Sequence, residues 1–232
     1  ASINRDLACP HLFEKGGRPH RIDTPAACEA LRAKLAKEGF TIGCFCLIVK
    51  LEAGGNDDAI LRWIEEAAAA APSVGCRTMM LPIGVSAAGG ERLSDEAFVD
   101  RCRPFVRKLD AIAARTGVQL VLENLGHYWN RPEILEPVLC ESRADRVGLL
   151  LDTTNLYWFG HPLDRVYEIA RKLAPFVRSI HVKNIRYPAD QQQKQRTPGW
   201  EYGKNTPSRI ARAISTLFAS AGRSRGRATS AT

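Results

Sequence analysis

The feature that most constrains this chain is its alternation between short apolar runs and longer amphipathic segments, with no hairpin signal joining any two of the apolar runs. Strands are expected over 40–49, 77–83, 118–123, 147–152 and 177–183, with a remnant around 3–8. Helices are expected over 25–38, 57–71, 95–116, 132–141, 162–174 and 207–219. Thr24-Pro25 sets a capping hydroxyl before a proline at the first helical position, and Pro72 stops the second helix. Ser94 caps the third helix, Asp95 and Glu96 suit its dipole, and Gly117 ends it. Pro104 inside that helix predicts a local bend or an early break. Runs such as Val118-Gln-Leu-Val-Leu-Glu123 scarcely alternate in polarity, as expected for strands covered on both faces. Strands linked only through helices form β-α units, hence a parallel sheet.

An open, doubly wound α/β sheet would place a Gly-rich phosphate turn after an early strand, and none is present. A (β/α)8 TIM-type barrel is the better reading. Five strands and a remnant fall short of eight, so the barrel is expected to be incomplete, with its first and last strands missing. One domain is expected over 1–222, followed by a mobile basic tail over 223–232.

The 232 residues are long enough to bury a core without metal or disulfide staples. No apolar run approaches the roughly 20 residues of a membrane span, and the first 20 residues carry no secretory pattern. Seven cysteines, odd in number and without a C-x-x-C pair, point to free thiols and a cytoplasmic location. The net charge of +8 belongs to the tail: Lys204, Arg209, Arg212, Arg223, Arg225 and Arg227 follow the last acidic residue, Glu201. The first 201 residues hold 27 basic against 25 acidic side chains, so no nucleic-acid surface is expected on the folded body.

Three successive strands end in Glu123, Asp152 and His181. In a barrel those ends form the rim where active sites sit, and side chains alternate along each strand. The phase that turns Glu123 inward also turns Gln119 and Val121 inward. Gly148 and Leu150 then accompany Asp152, and Val177 and Ser179 accompany His181. The outward positions are mainly apolar, as helix packing requires. Two carboxylates and one imidazole make a mixed O/N site suited to a divalent metal: Mn2+, Mg2+, Co2+ or Zn2+. The bland alternative has each carboxylate capping a helix or pairing with an arginine, and His181 satisfied in the core. A metal in such a site can chelate the adjacent oxygens of an α-hydroxy carbonyl compound and stabilise an enediolate, with Glu123 as the base.

Leu122-Glu-Asn-Leu125, Leu151-Asp-Thr-Thr-Asn155 with Gly160-His-Pro162, and Ile180-His-Val-Lys-Asn184 together resemble the xylose-isomerase-like TIM-barrel proteins, which include sugar and sugar-phosphate isomerases and epimerases. The resemblance runs from about 10 to 217. It implies that Glu123, Asp152 and His181 bind a divalent metal and that Glu123 also moves a proton. It further implies a metal-dependent isomerase or epimerase of a small sugar, sugar phosphate, polyol or keto acid. The family's fourth ligand, a Glu ending the last strand, has no counterpart here, so a degenerate barrel without turnover is the competing reading. An abasic-site endonuclease would need more His ligands than five histidines supply. Around the centre, Asn155, Lys183, Arg186, His127, Trp129 and His11 are the expected substrate-binding residues, Lys183 and Arg186 as holders of a phosphate or carboxylate. His20 and His161 read as surface or turn residues. The expected partners are a small-molecule substrate, no membrane, and a second copy of the chain where open sheet edges favour self-association.

Overall fold

A computed structural model describes residues 20–183 and 185–199, together with the backbone of 2–4 and 11–13. In chain order the elements are β1 (Ser2–Asn4), β2 (His11–Phe13), β3 (His20–Arg21), α1 (Pro25–Glu38), β4 (Phe45–Cys46), β5 (Val49–Glu52), α2 (Asp58–Ala70), β6 (Thr78–Leu81) and β7 (Ile83–Ser86). There follow α3 (Asp95–Thr116), β8 (Gln119–Glu123), α4 (Pro132–Leu139), β9 (Val147–Asp152), α5 (Asn155–Phe159), α6 (Leu163–Leu173) and β10 (Val177–His181). Strands β1, β4, β6, β8, β9 and β10 run parallel in that spatial order, each joined to the next by hydrogen bonds. Strands β2 and β3 extend the sheet antiparallel beyond β1.

The α/β expectation holds, and the remnant near the start is β1. Two expected strands, over 40–49 and 77–83, are each divided in two. The 77–83 run divides at Pro82, which lacks an N–H for the ladder. Beyond it β7 pairs with β5 in a small second sheet above the rim. The break predicted at Pro104 does not occur, and α3 continues through it. Pro104 is exposed, so water can bond the carbonyl it leaves free, while buried Phe98, Cys102, Phe105, Val106 and Leu109 fix both halves against the sheet. Helix α5 was not foreseen, because five residues are too few to show a period. The helix expected over 207–219 and the tail over 223–232 lie outside the described residues. Cys28, Cys44, Cys46, Cys76, Cys102 and Cys140 are free thiols.

The register of β9 against β10 sets up the rim. Val177 pairs with Leu149, but Ser179 pairs with Leu150, so a bulge falls at Arg178. Val177 therefore faces the helices beside Leu149, which corrects its expected inward position; Ser179 and His181 keep the inward phase. Gly148 makes the bulge fit. A Cβ there would lie 2.6 Å from Arg178 Cγ and 2.9 Å from the Ala144 and Phe176 carbonyl oxygens. Gly148→Ala is expected to cost about 1–3 kcal/mol by overpacking, read as a lower urea midpoint. An unchanged midpoint would show that β10 gives way freely.

Candidate metal centre

The centre is built at the ends of three adjacent strands. Glu123 ends β8 level with Leu150, one inward position deeper than Asp152, and Asp152 stands level with His181. Both carboxylates are buried, Asp152 completely, whereas the His181 side chain is 35% exposed toward the opening. His181 Nδ1 lies 3.4 Å from Glu123 Oε1 and 3.8 Å from Asp152 Oδ2. One donor atom from each residue falls within 4.8 Å of the others, and no other such group occurs among the described residues. Ligands about 2.1 Å from a common cation stand roughly 3–4 Å apart, so the spacing fits.

The hydrogen bonding agrees with that fit. Asp152 Oδ1 accepts the N–H groups of Thr154 (2.9 Å) and Asn155 (3.3 Å) and so caps α5. The bland reading of this carboxylate is thus half true, but it accounts for one oxygen only. Asp152 Oδ2 and His181 Nδ1 are both buried without a hydrogen bond of proper geometry, an arrangement that costs free energy unless a cation or donor meets them. Lys183 Nζ sits 2.5 Å from Oδ2 as an ion-pair partner. Cys46, on the inward face of β4, is held protonated: burial raises its thiol pKa first, and the Glu123 carboxylate adds to the rise. The gathered donor atoms are oxygen and nitrogen only.

The remaining expected residues divide. Asn155 opens α5 beside Asp152, and its side-chain Nδ2 is buried without a bond. Lys183 pairs with Asp152 while its side chain stays exposed at the rim. Arg186 is exposed between buried Ile185 and Tyr187. His127 leans against Tyr128 and Phe159, at a cleft of about 260 Å³ shared with Ser86, Arg92 and Trp129. Trp129 is 2% exposed and donates its one N–H to the Ile83 carbonyl at 2.6 Å, so it supports the cleft wall and has no polar group left for a substrate. The side chain of His11 lies outside the described residues.

Sequence reasoning missed several residues that hold the rim. Thr153 Oγ1 donates to the Lys183 carbonyl (2.7 Å) and accepts the Lys183 N–H (3.0 Å), stitching β9 to the chain beyond β10. Arg196 is buried, its guanidinium lying over the rings of Tyr157 and Tyr187 and donating to the Tyr157 and His161 carbonyls. His161, partly buried between α5 and α6, bonds the Asn130 carbonyl through Nε2 at 2.9 Å. None of these pairings leaves a local signal, because each partner is distant in sequence.

Two carboxylates and an imidazole gathered on a parallel β/α rim define a barrel protein with a candidate divalent-metal centre. The chain belongs to the xylose isomerase-like TIM barrel family, whose model matches residues 10–213. Among solved structures it is similar to a xylose isomerase-like TIM barrel protein from Mycobacterium smegmatis in complex with magnesium: 18% identity, TM-score 0.62, covering 86% of this chain and 68% of that one. It is also similar to the 3-keto-D-glucoside 4-epimerase YcjR from E. coli: 18% identity, TM-score 0.52, covering 68% of this chain and 64% of that one. The IOLI protein with a bound zinc atom aligns at 18% identity and TM-score 0.54, covering 69% and 58%. The chain thus spans about three fifths to two thirds of these neighbours' lengths. No curated protein sequence matches it.

Burial pushes the pKa of both His127 and His161 below the ordinary imidazole range; Arg92 and Arg131 add to the effect at His127, and the bond to Asn130 partly offsets it at His161. As pH falls through about 6.5, the unfolded chain protonates these rings first, so stability is lost until the folded rings protonate too. Urea midpoints at pH 7.5, 6.5 and 5.5 should decline, and the paired change His127→Gln, His161→Gln should flatten the decline. An equally steep decline in that variant would assign it to other groups.

Proposed function

We propose that this chain carries the metal-binding and proton-transfer centre of an isomerase or epimerase acting on a small polyhydroxylated carbonyl compound: a sugar, sugar phosphate, polyol or keto acid. The observation that carries this reading is the convergence of Glu123, Asp152 and His181 within 4.8 Å of one another, with His181 Nδ1 buried without a hydrogen bond and Asp152 Oδ2 met only by the Lys183 ion pair. Neighbouring folds solved with magnesium or zinc support a divalent cation at such a rim, and the neighbouring epimerase supports the reaction class. Glu123, Asp152 and His181 would hold the cation, which when bound supplies Lewis-acid stabilisation of negative charge on adjacent substrate oxygens.

The residues of the chain supply the rest. Glu123, buried one inward position deeper than Asp152, takes the proton from the hydroxyl-bearing carbon next to the carbonyl and holds it away from water. Returned by the same carboxyl to the former carbonyl carbon, while the hydroxyl proton passes to the former carbonyl oxygen, that proton completes an isomerisation; epimerisation requires a second group on the opposite face. Lys183 neutralises Asp152 and lies where it can meet a substrate oxygen. Asn155 offers an amide donor beside it, while His127 and Arg92 line the cleft for the distal part of the substrate. No helix among the described residues is long and apolar enough to cross a membrane, and a small-molecule partner suits the enclosed centre.

Mn2+ should raise the melting temperature by several degrees, because a ligand stabilises only the state it binds. His181→Ala should abolish the shift. With the metal loaded, Glu123→Gln should stop solvent deuterium from entering α-hydroxy carbonyl compounds, followed by proton NMR. Absence of any Mn2+ shift in the unaltered protein, or an undiminished shift in His181→Ala, would overturn the metal centre. Metal binding without exchange across a sugar and keto-acid panel would leave a barrel that binds and does not turn over.

A further inference from the structure

Past Glu123 the Asn124 N–H still reaches the Leu150 carbonyl at 3.4 Å, but there strand β8 leaves the sheet, because the Leu125 N–H turns back to the Glu123 carbonyl at 2.8 Å. A parallel ladder one residue longer would offer the Asp152 peptide a carbonyl and an N–H. The Asn124 side chain offers both. The Asp152 N–H donates to Asn124 Oδ1 at 2.6 Å, and Asn124 Nδ2 donates to the Asp152 carbonyl at 3.2 Å. The remaining hydrogen of Nδ2 goes to Asn130 Oδ1 at 3.1 Å, and Asn130 Nδ2 is held by the Gly126 carbonyl at 2.8 Å. Asn124 is 0% exposed and Asn130 1%, so no water can replace these bonds. A flipped amide would set donor against donor and acceptor against acceptor, so only one orientation satisfies the site.

We infer that Asn124 is the positioning residue of the metal centre, its carboxamide standing in for the missing next peptide of β8 and fixing the orientation of Asp152. With the two peptide groups flanking the Asp152 Cα both held, Oδ1 meets the N–H groups at the start of α5 and Oδ2 is left between Lys183 and His181. Asn124 touches neither cation nor substrate; it acts through Asp152. The consequence for metal affinity rests on the functional reading above, whereas the clamp itself does not.

Two measurements test this on the full chain: Mn2+ affinity by calorimetry, and hydrogen exchange of the Asp152 amide in metal-free protein by NMR. Asn124→Asp keeps size and one acceptor but sets a carboxylate oxygen against the Asp152 carbonyl and Asn130 Oδ1. It should weaken Mn2+ binding tenfold or more and speed Asp152 exchange at least tenfold. Arg131→Ala loosens the same loop by removing its ion pairs to Asp95 and Glu133, and should leave both quantities within about twofold. Asn130→Ala removes only the outer support and should shift both severalfold in the same direction, which keeps the test decisive if Asn124→Asp does not fold. Unchanged Asp152 exchange, or Mn2+ affinity lowered no more than by Arg131→Ala, would overturn the inference. If the unaltered protein binds no Mn2+, the functional reading fails, and the exchange measurement alone decides the clamp.

Discussion

The structure turns on a carboxylate held entirely out of water at the end of β9. Burying Asp152 without partners would be prohibitive, and its two oxygens solve the problem differently. Oδ1 is matched by the first amides of α5, so the capping requirement of a short helix becomes an anchor for the acid. Oδ2 is matched only by charge, from Lys183 at the opening and from any cation seated between Glu123 and His181. Solubility of the carboxylate in the fold and capacity to hold a metal are thus one electrostatic arrangement.

That arrangement depends on register to within one residue. His181 stands level with Asp152 because the bulge at Arg178 shifts β10 after Val177, and the bulge fits because Gly148 presents no side chain. Thr153 then fastens the strand ends above the centre. A slip by one residue would turn His181 toward the helices and Ile180 toward the axis, removing the imidazole from the donor set.

The loops above the rim are fixed by groups that look expendable in the sequence. Phe98 of α3 stacks on Tyr128 at 3.9 Å and meets Trp129 edge-on, pinning the segment after Glu123. Arg196 holds the chain after β10 against α5. It approaches so closely that a Cβ on Gly160, already at φ 112°, would fall 2.0 Å from the Arg196 carbonyl oxygen. Asn130 and His161 connect these two supports. Loops fastened in this way hold the strand ends that carry Glu123, Asp152 and His181.

Much of this was legible in the residues. Unalternating apolar runs between amphipathic helices gave parallel strands, because strands covered on both faces have no polar side to show. The inward phase of Glu123, Asp152 and His181 followed from the two-residue repeat of a strand, and cap residues located α1 and α3 closely. Other features were beyond local pattern. Splitting at Pro82, persistence of α3 through Pro104, and the bulge at Arg178 were decided by which carbonyls meet water and which meet a neighbouring strand. The bond of Trp129 to Ile83, the bonds of Asn124 to Asp152 and the seat of Arg196 were decided the same way. Periodicity records which side of an element faces the core. Hydrogen bonds between residues 28 to 46 positions apart exist only once the chain is packed, so the sequence determined the strands and their inward groups, and tertiary structure alone decided which atoms were left to bind a cation.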